Sequence, residues 1–177
     1  MNWSDIVYHL CLIVLPAGAV LLMAKSFFKK EQQQLALKYH NDLKAKKMDL
    51  FLPNQVEAYQ RALLLMERIH PNNLIMRTVT PGVPAHLYQA ELLKAIREEF
   101  DHNVAQQIFI RPETWRVVEQ AKNETVKIIN IAGNAVSEQS FSTDLATKLF
   151  ELVGEIGQMP TEIATTALKE DIQKLFH

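Results

Sequence analysis

Two Glu-x-x-His units are the pattern in this chain that most directly suggests chemistry. Glu67 precedes His70 and Glu99 precedes His102, each by three residues. Residues at i and i+3 share one face of a helix. Bundle proteins that hold two iron or manganese ions use two such units, plus a glutamate from each of two other helices. The pattern therefore raises the hypothesis of a metal-dependent enzyme.

The position of these units argues against that hypothesis. Both lie in the last turn before a predicted helix break, whereas bundle ligands project into the core from the middle of a helix. A histidine near a helix C-terminus also complements the helix dipole and hydrogen-bonds the terminal carbonyls. Glu119 and Glu124 are the carboxylates available as further ligands. We assign no catalytic residue, metal or cofactor, and the two Glu-x-x-His pairs stay candidates for the alternative, an enzyme.

The sequence gives less support to phosphate-binding, nucleophile-based or nucleic-acid-binding sites. The sequence contains no glycine-rich phosphate loop, no HExxH and no GxSxG, and its one cysteine is Cys11. Arg111 and Arg116 flank Trp115, as in a nucleic-acid platform, but residues 51–177 carry a net charge of −4 and show no basic stripe. We therefore expect no nucleic-acid partner and expect Trp115 to lie in the core.

The N-terminal segment Ile6–Ala24 contains nineteen residues without a charge. A helix of this length covers about 29 Å, close to the thickness of the hydrocarbon core of a bilayer. A cleaved signal peptide would need a basic start and a small-x-small cleavage site, and a buried core helix is usually shorter. We therefore predict a single transmembrane helix over residues 1–24 that anchors the chain in the lipid bilayer.

Lysines predict the orientation of this anchor. Residues 1–24 carry a net charge of −1, whereas residues 25–50 carry +4, so the positive-inside rule places the N-terminus outside and the following part in the cytoplasm. We expect residues 25–50 to form a basic helical connector, with Lys25, Lys29 and Lys30 available to lipid headgroups; a solvated linker helix is the alternative. Its apolar residues do not keep a heptad, so a stable coiled coil is not expected.

Residues 51–177 are expected to form a bundle-like, all-α cytoplasmic domain of about five helices. Proline and glycine punctuate it, with Pro53, Pro84, Pro112 and Pro160 suited to first turns and Ser142 suited to an N-cap. One helix from Pro112 places a long set of residues on a single face: Trp115, Val118, Ala121, Thr125, Ile128 and Ala132. Two short runs, 75–79 and 108–110, have strand-like composition and are predicted to form at most a minor β-ribbon.

A loop between the first two domain helices is the predicted partner-binding surface. It combines the prolines of Pro81-Gly82-Val83-Pro84 with apolar residues that must be buried in their own domain or against a partner. The candidate residues for contact with a partner are Leu74, Ile75, Met76 and Val83.

Three segments give the chain a resemblance to a known group. They are RALLLMERIHPNNLIMR, EFDHNVAQQIFI and TWRVVEQAKNETVKIIN, which lie in this order behind the apolar N-terminus. Over residues 5–135 the chain resembles a family of uncharacterised proteins from Bacteroidota, each with one N-terminal span and a helical domain. The resemblance implies a bacterial inner membrane location and carries over no functional residue.

These observations favour a non-enzymatic role. We expect a membrane-anchored adaptor or accessory subunit that presents its helical domain to a protein partner at the cytoplasmic face of the inner membrane. Confinement there would raise the effective concentration of the domain for its neighbours. The alternatives are the metal-dependent enzyme described above and a self-assembling structural protein, that is, a homo-oligomer.

Overall fold

The computed structural model describes residues 3–174, except for the side chains of residues 4–8, 10–17, 19 and 20. Within this part the chain is all-helical, which confirms the predicted secondary-structure class. The elements are α1 (Trp3–Ile69), α2 (Pro71–Thr78), α3 (Ala85–Asn103), the 3₁₀-helix η1 (Val104–Ile108), α4 (Pro112–Ala135), α5 (Ser142–Glu155) and α6 (Pro160–Gln173).

The predicted transmembrane helix is not supported. In the part of the chain that the structure describes, no helix combines the length and apolar character that a bilayer crossing requires. The single-pass anchor over Ile6–Ala24, its N-outside orientation and the inner-membrane location are therefore wrong, and so is the fold class that included a span. Most side chains of that segment lie outside the described residues. The described side chains soon become charged, since residues 25–31 alone include Lys25, Lys29, Lys30 and Glu31.

The chain divides into two compact units. The first comprises Met1–Phe51 and the second Leu52–His177. In the first unit, residues 25–49 are helical and every one of them is exposed. In the second unit, α4 packs extensively against α6 and also contacts α3 and α5.

The second unit contains a continuous apolar core. All six residues predicted on the buried face of α4, from Trp115 to Ala132, are buried, which confirms the period assigned to this helix. On α6 the large apolar Ile163 is 47% exposed, and several of the inward positions are occupied by smaller or polar side chains. These inward residues of α6 are Thr161, Ala164, Leu168 and Asp171. Small side chains let α6 approach its neighbours closely, and that advantage outweighs the size of Ile163.

Short apolar runs were the least predictable part of the fold. The segment expected as the strand 75–79 lies mainly in α2, and Ile108 ends η1, so the described residues contain no β-ribbon. Backbone pairing is limited there to one isolated bridge between Pro84 and Phe141. A run of three or four apolar residues fits a helix turn as well as a strand. Here Pro71 in the first turn favours the helix. Pro53, expected to begin a helix, lies within α1.

The loop before α3 is attached to the start of α5. The Ser142 backbone N–H donates to the Val83 carbonyl at 2.7 Å, and the Ser142 hydroxyl donates to the Thr80 carbonyl at 2.6 Å. Ser142 is therefore the first residue of α5 and not its N-cap as predicted. The N-terminus of α5 is capped by a different hydrogen bond, in which the Phe141 N–H donates to the Asp144 carboxylate at 2.8 Å.

Candidate functional site

Glu99 joins three helices through ion pairs. Its carboxylate lies 2.9 Å from Nε of Arg68 at the end of α1 and 3.5 Å from Nη1 of Arg77 on α2. The Glu99 side chain is only 17% exposed, whereas those of Arg68 and Arg77 are 48% and 32% exposed. The carboxylate is thus largely covered while both guanidinium groups still reach solvent. Glu99 acts here as an ion-pair acceptor that holds the ends of these helices together.

A surface groove of about 740 Å³ runs beside this ion pair, and we call it the α1/α3 groove. Helix α1 supplies one wall with residues at helical spacing, and the end of α3 supplies the other. The lining residues are Glu57, Gln60, Arg61, Leu64, Leu65, Arg68, Glu99, His102 and Asn103. Leu65 is buried beneath the groove, and Leu64 is 56% exposed. An apolar side chain thus lies within a polar surround.

The lining of the α1/α3 groove includes two arginines and two glutamates, so its formal charge is balanced. Arg61 is about half exposed and pairs with Glu57 on the same helix at 2.8 Å. An exposed pair of this kind gains little stability and can exchange partners readily. Glu99 is covered, whereas Arg61, Arg68 and the carboxylate of Glu57 are each about half exposed and accessible to a ligand. The groove is therefore less acidic than the second unit as a whole, where acidic residues are in excess.

The sequence indicated one wall of this groove without revealing it. Glu57, Arg61, Leu64 and Arg68 recur at steps of four, three and four residues, which places them along one face of α1. A leucine on such a charged helix face is the feature of the sequence that indicates a binding surface. What sequence reasoning could not supply is the approach of α3, which makes the face into a groove.

The two Glu-x-x-His units lie in different places. Glu99 and His102 line the α1/α3 groove, whereas Glu67 and His70 line a depression of about 220 Å³ against α6. In the described residues, no group of three or more His, Cys, Asp or Glu side chains is positioned to hold a metal ion. The proposed extra ligands are engaged elsewhere, since Glu119 accepts from the Trp115 indole and Glu124 pairs with Lys127. The structure thus does not bring the sequence-predicted ligands together.

The predicted partner-binding residues are mostly internal. Leu74 and Ile75 are buried in the core, and Val83 is partly buried against it. Met76 alone among the four is exposed, at 75%. Burial within the domain, the alternative weighed for this loop, therefore accounts for the other three. Lys25, Lys29 and Lys30 are exposed on α1, and their contact with lipid headgroups stays a prediction.

A buried carboxylate that the sequence reasoning missed connects three helices. Asp171 on α6 is 2% exposed and accepts hydrogen bonds of 2.6 Å from the hydroxyls of Tyr59 on α1 and Thr114 on α4. Arg111, just before α4, forms an ion pair with the same carboxylate. A buried charge is tolerated when it is paired and hydrogen-bonded, and these partners meet that condition. In the sequence, the one sign that Asp171 is buried is its helical spacing from the apolar residues Ala164 and Leu168.

Two buried tyrosines have altered acidity. Burial raises the pKa of Tyr59, and Arg111 opposes part of that rise through hydrogen bonding and its positive charge. Burial likewise raises the pKa of Tyr88, against the opposing effect of its hydrogen bond with the Thr78 hydroxyl. Both side chains are 1% exposed and remain protonated in the folded chain at neutral pH. Neither lines the groove, so their effect falls on stability.

Trp115 has a structural position. The side chain is 4% exposed, packs against Phe100 with the ring centroids 5.8 Å apart, and donates its indole N–H to Glu119. This confirms the core position predicted for Trp115. The flanking Arg116 is directed to exposed surface contacts, with Glu113 at 3.9 Å.

The fold and these sites together define an all-helical protein with a charged groove between two of its helices. The sequence matches the Family of unknown function (DUF7935) over residues 5–175, and the chain belongs to that family. This confirms the resemblance to a family without an assigned function, although it supports neither the bacterial group nor a membrane location. No curated protein and no solved structure matches the chain.

Proposed function

We propose that residues 52–177 form a non-enzymatic binding domain, an adaptor or accessory subunit whose α1/α3 groove accepts an acidic amphipathic helix of a protein partner. One observation carries the proposal: the half-exposed Leu64 lies in a groove beside two half-exposed arginines. Amphipathic helices bind such grooves through apolar anchors at helical spacing.

The energetics favour a helical ligand with carboxylates. Burying a leucine side chain contributes about 1.5–3 kcal/mol. Arginine is enriched among the residues that dominate interface affinity, because its planar guanidinium pairs with carboxylates in two-pronged geometry. Arg61 can exchange its exposed pairing with Glu57 for a carboxylate of the partner, and Arg68 can add a second contact.

Site-specific photo-crosslinking in native cells tests this function. A benzoyl-phenylalanine residue at position 64 is expected to give one discrete heavier adduct, whose crosslinked peptide lies in an acidic amphipathic helix. The matched control is the same residue at position 131, because Ile131 on α4 is 57% exposed and lies outside the groove. Arg61→Glu should decrease the adduct from position 64 at least about tenfold, since one reversed charge removes an attractive contact.

Three outcomes would contradict the proposal. The first is no adduct from position 64, and the second is an equal adduct from position 131. The third is an adduct made only of two copies of this chain, which would mean that the groove mediates self-association.

A further inference from the structure

Helix α1 has an exposed segment with an ordered apolar pattern. Residues 25–49 are exposed throughout, although helices in proteins gain most of their stability from packing an apolar face. From Leu21 onward, six apolar side chains and one glutamine recur at steps of three, four and four residues, and this sequence of steps then repeats. The positions, which we call the α1 stripe, are Leu21, Ala24, Phe28, Gln32, Leu35, Tyr39 and Leu43.

The spacing of the α1 stripe is an 11-residue repeat. Eleven residues in three turns gives 3.67 residues per turn, so the seven positions fall within a sector of about 65° on the helix surface. A heptad is absent, but this period keeps apolar side chains aligned equally well and favours a right-handed supercoil. Leu37 and Met48 lie roughly 160° from the centre of the stripe on the same period. They form no part of it.

The surface of α1 is also indented along the edge of this stripe. A depression of about 370 Å³ is lined by Phe28, Glu31, Gln32, Gln34, Leu35 and Lys38. These residues make two overlapping sets at i, i+3, i+4 and i+7, which share Glu31 and Leu35. Four residues in this arrangement form the hole that receives one side chain from a facing helix in a coiled coil.

We propose that the α1 stripe pairs with the same stripe of a second copy, forming a parallel coiled coil with an 11-residue repeat. Side chains stay in register along two helices only when both follow the same period, and α1 itself supplies a helix with this period. The one polar position, Gln32, gives the register. In a parallel pair the two Gln32 amides face each other and can hydrogen-bond, as single polar core residues do in other coiled coils.

Disulfide trapping tests the orientation in the full-length chain. In a Cys11→Ser background, Gln32→Cys is expected to form a covalent dimer on mild oxidation. Gln33→Cys is the matched control, because the neighbouring glutamine lies about 130° from the centre of the stripe. Equal trapping of both cysteines would indicate unspecific collision, and no trapping at position 32 would exclude the parallel register; either result overturns the proposal.

Sedimentation of the full-length chain tests the stripe itself. Leu35→Gln should raise the dissociation constant of the dimer at least about tenfold, since each copy loses an apolar contact. Leu37→Gln is the control, because Leu37 is as exposed as Leu35 but lies on the opposite face. A monomer at all concentrations, or equal effects of the two substitutions, would refute the pairing.

Salt dependence provides a further readout. Residues 25–50 carry a net charge of +4, so two parallel copies repel each other and added sodium chloride should strengthen association. Weakening by salt would contradict pairing of two like-charged copies. The α1 pairing is independent of the α1/α3 groove. Leu35→Gln should leave crosslinking from position 64 intact, and Arg61→Glu should leave the dimer intact. Failure of one proposal is therefore distinguishable from failure of the other.

Discussion

At the scale of single residues, Asp171 has the most demanding environment in the second unit. Its carboxylate is almost fully buried, and it depends on two hydroxyl donors and the Arg111 guanidinium from different elements. A buried charge with this number of partners fixes the relative positions of α1, α4 and α6. The sequence could not reveal this role, because the donors lie 57 and 112 residues away along the chain.

Asp171→Asn should destabilise the fold. The amide cannot accept from both hydroxyls and pair with Arg111 at once, so we expect a loss of about 2–3 kcal/mol in the free energy of unfolding. Arg111 is half exposed and can return to water, which limits the cost. Urea unfolding measures the change. The exposed neighbour serves as control, with Glu170→Gln expected within about 0.5 kcal/mol of the parent. A similarly small effect of Asp171→Asn would show that the network contributes little.

At the scale of elements, the long helices were predictable and the short segments were not. The apolar period of α4 is so regular that every residue expected on its buried face is buried. Leu74, Ile75 and Met76 span less than one turn, and no periodicity separates helix from strand over that length. The groove was unpredictable for another reason, since Glu99 and His102 reach Leu64 and Arg68 only through tertiary packing.

Two glycines should respond to alanine with opposite signs. Gly82 lies in the loop before α3 with a φ of +83°, a conformation that costs an alanine about 1 kcal/mol. Gly154 lies near the end of α5, where an added methyl group would meet no heavy atom within 4 Å, so Gly154→Ala should stabilise by up to about 0.5 kcal/mol. Thermal unfolding of both variants measures the difference. A stabilising Gly82→Ala would contradict the assigned turn.

At the scale of the whole molecule, composition and periodicity were sufficient to predict an all-α chain, and they misled on the membrane. The apolar run at Ile6–Ala24 satisfied the length rule for a span, but no helix in the described residues meets the requirement. Local hydropathy reports the character of one segment, whereas α1 continues without a break through the lysine-rich residues to Ile69. The two compact units along the chain are a property of tertiary contacts, which a single sequence does not display.

The buried hydroxyls of Tyr59 and Tyr88 set an alkaline limit on the folded state. Because burial raises both pKa values above 10.0, the unfolded chain releases these protons at a lower pH than the folded chain does. The contribution of these tyrosines to stability is therefore fully present below about pH 10 and is lost as the pH rises from there through the folded-state pKa values.

Urea titrations between pH 8 and 11 should show this decline, and Tyr59→Phe, which has no proton to release, should make it shallower. Tyr39→Phe removes an exposed hydroxyl and is the control; an unchanged slope for Tyr59→Phe would contradict the linkage. The same hydroxyl that holds Asp171 in the core thus gives the fold a built-in sensitivity to base.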